Sequence, residues 1–267
     1  MTMQRMIGTL ALAVTLAGLA GLAACHPHGR APRAAPVVEP SVDLAHALNL
    51  FRHGEFRKAQ IVFQRVGFQL APGSVELAEA NYYGAECSFQ LGDYAQAASD
   101  FRKVSDEFST TEYAPLALLR AGDANLRLWA RPELDPSYGE TALAIYQELA
   151  GRFPDSDAAA RARPHVRRLE NQFSEKTYKT GMFYFRRKAF DSAIIYFKDV
   201  IANYPTTARA PDALLRLVDS YRVIGYKQEL QETCEHLHRF YPQATGLART
   251  CPATADSSAT PSTPSTP

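Results

Sequence analysis

An all-α solenoid of about five stacked helix pairs is the fold this sequence predicts, on three observations. The first is the stretch AEANYYGAECSFQLGDYAQAASDFRKVSDEF, which ends at Phe108. It places small residues at Gly84, Ala85 and Ala97, large apolar ones at Phe89, Leu91, Phe101, Val104 and Phe108, and a break at Gly92 and Asp93. Ala97, Phe101, Val104 and Phe108 recur at helical spacing and share one face, while the small residues let two backbones approach closely. The second observation is recurrence: Ala59, Phe63, Val66; Ala142, Tyr146, Leu149; Ala193, Phe197, Val200; and Leu230, Cys234, Leu237 repeat that face. The third is punctuation. Pro154, Pro205 and Pro242 follow the last turn of three of these helices, where a residue without an amide hydrogen stops a helix.

A small, small, bulky grammar in units of about 34 residues is that of the tetratricopeptide repeat. Here the repeat-marking residues Ala59, Ala97, Ala142, Ala193 and Leu230 are separated by 38, 45, 51 and 37 residues, so two repeats carry extra chain. In the third it is Arg131, Pro132, Glu133, Leu134, Asp135, Pro136 and Ser137, two of them prolines, which predicts a loop. In the fourth it is a helix over residues 157–188, capped by Ser156, with Pro164 predicting a kink or a delayed start. Leu169, Phe173, Tyr178, Met182, Phe183 and Phe185 give that helix apolar surface enough to bridge two blocks.

The expected organisation follows in chain order. Residues 1–24 are a secretory signal: Arg5, then an apolar run too short to span a bilayer comfortably, then Leu22, Ala23, Ala24 and Cys25. Leu-Ala-Ala-Cys resembles the bacterial lipobox, which implies lipidation of Cys25 as the first mature residue, and His26 in place of aspartate implies the outer membrane. Residues 25–41 read as a Pro- and Ala-rich tether, on which His26 and His28 are incidental. Residues 42–156 form an amino-terminal block of three repeats, and residues 157–245 the bridging helix with two more. Residues 246–267 are expected to be a disordered tail, residues 252–267 having no aromatic or large aliphatic side chain.

Composition narrows function. Losing Arg5 with the signal leaves 28 basic residues of 29 against 28 acidic ones, a balance that argues against nucleic acid as a partner. There is no Gly-rich phosphate loop, no His-Glu-x-x-His and no Gly-x-Ser-x-Gly, so no enzyme, catalytic residue or cofactor is predicted. Cys234 and His238 share a helix face but His236 does not, so no metal site is predicted either. Cys87 reads as a buried thiol. Cys234 sits at a core position, where burial as a thiol is the simpler reading; the alternative is a disulfide to Cys251.

Lipobox, tether, five repeats, the third-repeat loop and the long helix together resemble the BamD family of outer-membrane lipoproteins. Residues 129–135, ALAIYQELAGRFP (142–154) and FYFRRKAFDSAIIYFKDVIANYP (183–205) carry the resemblance, which spans roughly residues 43–242. It implies a non-catalytic scaffold of the β-barrel assembly machinery, anchored through Cys25 on the periplasmic face of the outer membrane. Its implied partners are a BamA-like barrel subunit, bound mainly by the carboxy-terminal repeats, unfolded outer-membrane proteins at the amino-terminal ones, and accessory lipoproteins of the same machine. Asn81, Tyr82 and Tyr83 are candidates for holding substrate. Arg131, Glu133 and Asp135 form a charged insertion, and Arg186, Arg187 and Lys188 a basic patch for an acidic partner. The plainer reading has one of Tyr82 and Tyr83 packed inside and the arginine run as a solvated turn. A Tol-Pal-type coordinator or another envelope adaptor is the alternative function.

Overall fold

A computed structural model describes residues 39–130 and 135–252. Their elements are α1 (Pro40–Arg52), α2 (Phe56–Gly67), α3 (Val75–Gln90), α4 (Tyr94–Glu107), α5 (Tyr113–Leu128), α6 (Ser137–Arg152), α7 (Asp157–Arg186), α8 (Phe190–Asn203), α9 (Arg209–Ile224), α10 (Lys227–Phe240) and α11 (Leu247–Thr250). No strand occurs among the described residues. From α1 to α10 each helix packs against the next, so α1–α2, α3–α4, α5–α6, α7–α8 and α9–α10 are five consecutive pairs of an all-α tetratricopeptide array. None of these helices is long and apolar enough to cross a membrane.

The turn within a pair requires a left-handed residue. Gly54, Gly92 and Gly225 supply it with φ of 76°, 84° and 84°, and in the fourth pair Lys188 adopts φ 60°, the only non-glycine to do so among the described residues. A Cβ in that conformation meets the following carbonyl, at a cost of roughly 1 kcal/mol. Seven residues before each of these four turns stands a residue on which the second helix crosses: Ala47, Ala85, Gly181 and Val218. In the remaining pair, α5–α6, Gly122 holds the matching place. A Cβ on Gly122 would run into the Tyr146 ring, and one on Gly181 would lie 2.6 Å from Phe197, so the two rings occupy the room the missing side chains leave. Phe63, Phe101, Tyr146 and Phe197 fill this place in four pairs; in α10 it falls to Cys234.

Three apolar cores result. One joins α1, α2 and part of α3 around Phe63 and Val66. A larger one runs from α3 to the first half of α7, including Leu169 and Phe173. The last gathers α8, α9 and α10, with Tyr178, Met182 and Phe185 from the second half of α7 packed against it. One 30-residue helix thus belongs to two cores. It begins at Asp157, where the Ser156 hydroxyl accepts the Ala159 amide at 3.1 Å, and Pro164 does not delay it. Pro164 lies exposed two turns in, where no neighbouring helix has to fit against the gap it leaves.

Four expectations need correction. Leu91 is exposed rather than in the core, because it caps α3 at the turn. Phe183 is half exposed, its ring covered by the Arg187 guanidinium at 3.6 Å instead of by a neighbouring helix. Residues 246–252 are not a disordered tail: Leu247, Thr250 and Cys251 are buried, and α11 packs on α9. Cys234 is not a free thiol but is bonded to Cys251 across a Cα–Cα distance of 5.6 Å. The boundary failed because a one-turn helix has too little periodicity to be recognised, and a covalent bond holds it in place of apolar area.

Candidate interaction surfaces

The aromatic candidates come together where α1, α3 and α5 meet. Tyr82 and Tyr83 pack edge to face with centroids 5.4 Å apart. Tyr83 also meets Phe51 at 5.1 Å and Phe63 at 6.1 Å, while Tyr82 meets Phe101 at 5.6 Å and Tyr113 at 5.5 Å. Both are half buried, so neither extreme of the plainer reading applies. Burial first, then the Glu86 carboxylate beside it, raise the Tyr82 hydroxyl far above the ordinary phenol range; Tyr113 is raised in the same way by burial and Glu79. These hydroxyls stay protonated and donate hydrogen bonds at any physiological pH, and the rings offer faces to an apolar or aromatic side chain. Asn81 is not part of this panel: it lies on a different side of α3, in a cleft with Gln64 of α2 and Gln96 of α4.

Behind the panel stands a charged network that sequence reasoning missed. Glu86, 7% exposed, takes two hydrogen bonds from Arg120, Nε at 2.5 Å and Nη2 at 2.8 Å, and a third from the Tyr82 hydroxyl at 3.2 Å. Arg120 Nη1 donates to Asp123 at 3.0 Å, and Asp123 accepts the Tyr146 hydroxyl at 2.7 Å. The guanidinium lies 3.9 Å over the Phe89 ring. Burial pulls the Arg120 pKa down, but its bonds to Glu86 and Asp123 outweigh that and raise it. A signal was available: Glu86, Asp123 and Asp219 each follow the crossing residue of their helix directly, an acid recurring at the repeat period.

Elsewhere the candidates separate. Arg131 and Glu133 lie outside the described residues. Asp135 positions the start of α6: its carboxylate accepts the Ser137 amide at 2.9 Å, its carbonyl accepts the Trp129 indole at 2.8 Å, and the hydrogen bonds from Ser137 hold its carboxyl below the usual range. Arg186, Arg187 and Lys188 do cluster, exposed on the α7–α8 turn, with no carboxylate paired to them among the described residues. At the far end of the array, Arg222 donates to the Thr250 carbonyl at 2.6 Å and His238 Nε2 lies 3.0 Å from the Cys251 carbonyl, reinforcing the disulfide. Cys87 is a buried thiol whose pKa is pushed up to about 12, by burial first and Glu86 second, so it is unreactive. Among the described residues no group of His, Cys, Asp and Glu could hold a metal ion.

Known proteins converge on one family. A family model described as "Outer membrane lipoprotein" matches residues 120–237, from within α5 to within α10, and a tetratricopeptide-repeat model matches residues 79–111. The outer membrane protein assembly factor BamD of Xylella fastidiosa is 25% identical over 228 residues, 81% of this chain and 77% of that one. Over these residues the chain is similar to the BamD family. The BamD of Caulobacter vibrioides is 34% identical over 95 residues, 36% of this chain, and that of Vibrio cholerae 29% over 103 residues, 39% of this chain. These stretches span 31% and 43% of the two relatives, so the chain matches less than half the length of each. Among solved structures, a thermophilic TPR protein from Thermus thermophilus aligns with TM-score 0.37 and 19% identity, over 79% of this chain and 97% of that one. Tyr82, Tyr83 and Phe101 of the aromatic panel fall within the general repeat match, and the basic turn within the lipoprotein match.

Proposed function

We propose that this chain is a non-catalytic scaffold for outer-membrane protein assembly, lipid-anchored through Cys25 at the periplasmic face of the outer membrane. Its carboxy-terminal repeats bind the periplasmic part of a BamA-like barrel subunit, and its amino-terminal repeats hold unfolded outer-membrane polypeptides. The observation that carries this reading is the role the relatives are named for, outer membrane protein assembly, combined with a lipoprotein-model match that runs from within α5 to within α10. The chemistry is consistent with it. Half-buried aromatic rings at Tyr82, Tyr83 and Tyr113 suit alternating apolar side chains of an extended chain, and Arg186, Arg187 and Lys188 suit an acidic surface.

Affinity capture from detergent-solubilised outer membrane tests the reading. Enrichment of a BamA-like barrel is expected, together with accessory lipoproteins of the machine. Recovery of Tol or Pal components without such a barrel would overturn it in favour of an envelope coordinator. Replacing Cys25 by Ser should leave the precursor unlipidated and shift it out of the outer-membrane fraction.

A further inference from the structure

The cleft that contains Asn81 exists because one repeat lacks the side chains that seal another. The first helix α9 turns three residues into the core it shares with α8 and α10, four and one residues before its crossing residue and three after it. In α9 these are Leu214, Leu217 and Tyr221, each no more than 4% exposed. In α3 the same places hold Asn81, Gly84 and Ser88. The result is a slot of about 300 Å³ between α2 and α4, floored by Ala80, Gly84 and Ala85. A Cβ on Gly84 would make only ordinary contact with Phe63, at 3.8 Å, so this glycine is not demanded by packing, unlike Gly122 and Gly181.

The walls are polar and regularly spaced. Gln60 and Gln64 stand one turn apart on α2, and Gln96, Lys103 and Glu107 line the opposite side on α4. Gln60 is spent on the Ser88 hydroxyl at 2.8 Å and Gln96 on Asp100 at 2.9 Å, whereas the carboxamides of Gln64 and Asn81 have no hydrogen-bond partner among the described residues. A carboxamide donates and accepts side by side, matching the N–H and C=O of one extended peptide unit. From Gln96 to Glu107 the wall runs about 16 Å at 1.5 Å per helical residue, the length of about five residues of extended chain.

We propose that this slot binds the backbone of a short, extended, polar polypeptide segment, with Asn81 and Gln64 pairing to its peptide groups and Lys103 and Glu107 facing its side chains. It is a second polypeptide site on a side of α3 other than the Tyr82 and Tyr83 panel. The inference rests on the reading of the chain as a holder of unfolded polypeptide and adds where, and by what chemistry, a polar stretch is held.

The test places photoreactive p-benzoylphenylalanine at Asp100, on the slot wall, or at Glu79, beside the aromatic panel, in the full chain. The probe is reduced, carboxymethylated α-lactalbumin, a soluble and permanently unfolded polypeptide. A filled variant, Asn81→Leu with Gly84→Leu, copies α9 and should melt at a higher temperature than the parent, since it fills a void and removes a helical glycine. Crosslinking from Asp100 that is lost in the filled variant, while crosslinking from Glu79 persists, is the expected result. Undiminished crosslinking from Asp100 in a folded, filled variant overturns the inference. Crosslinking from Glu79 alone in the unfilled chain overturns it too and leaves the aromatic panel standing. Crosslinking from neither position counts against both.

Discussion

The second and fifth helix pairs share one architecture and are fastened in different ways. In α3–α4 the crossing is filled by Phe101 and the outer side of α4 is covered by the whole of α5, to which Arg120 and Glu86 add a buried ionic clasp. In α9–α10 the aromatic is replaced by Cys234, and the helix that would cover α10 stops after one turn at α11, beside Pro252. The disulfide to Cys251 stands where a covering helix would otherwise bury area. Cys251 holds the place in its repeat that Leu214 holds in α9, so α11 lies where the first helix of a sixth repeat would begin. An array needs its terminal repeat closed against water. Here closure is covalent at the carboxy-terminal end, and noncovalent packing does the same work inside.

Four measurements would break or sharpen this comparison. Phe101→Ala should have the largest effect, a loss of about 4 kcal/mol in urea unfolding, because a fully buried ring leaves a cavity that the flanking helices cannot close. Arg120→Met should cost about 3 kcal/mol by leaving Glu86 buried without its partner. The double variant Arg120→Met with Glu86→Leu should recover much of that loss; if it does not, the clasp contributes more than relief of an unpaired charge.

Cys251→Ser should cost about 2 to 3 kcal/mol, from the freedom regained by a loop of 17 residues. Hydrogen exchange should show that loss confined to α10 and α11, and acceleration in α3 or α4 would mean that the two regions are not fastened separately. Acid should act most weakly. Glu148 is pulled up by burial but further down by Arg102 and Arg152, and Glu175 is held down chiefly by Arg209, so both carboxyls titrate below their ordinary range in the fold. Their contribution, under about 1 kcal/mol each because the pairs are partly exposed, is complete at pH values above about 4.3 and fades as pH falls through the depressed values. Glu148→Gln should flatten the acid limb of a stability-against-pH curve, and an unchanged limb would remove the ion pair from the account.

The solenoid, its five pairs and the long helix into the fourth were all legible in the chain, because the periodicity of Phe63, Phe101, Tyr146 and Phe197 is strong and local. So were the cap at Ser156 and the break at Gly92, each set by a single residue's chemistry. Tertiary structure decided the rest. The Glu86, Arg120, Asp123 and Tyr146 network joins residues up to 60 positions apart, and nothing in the local pattern says which acid a given arginine will face. The pairing of Cys234 with Cys251 depends on where a one-turn helix lands. The slot at Asn81 is an absence, and an absence becomes a site only when the helices on both sides are in place.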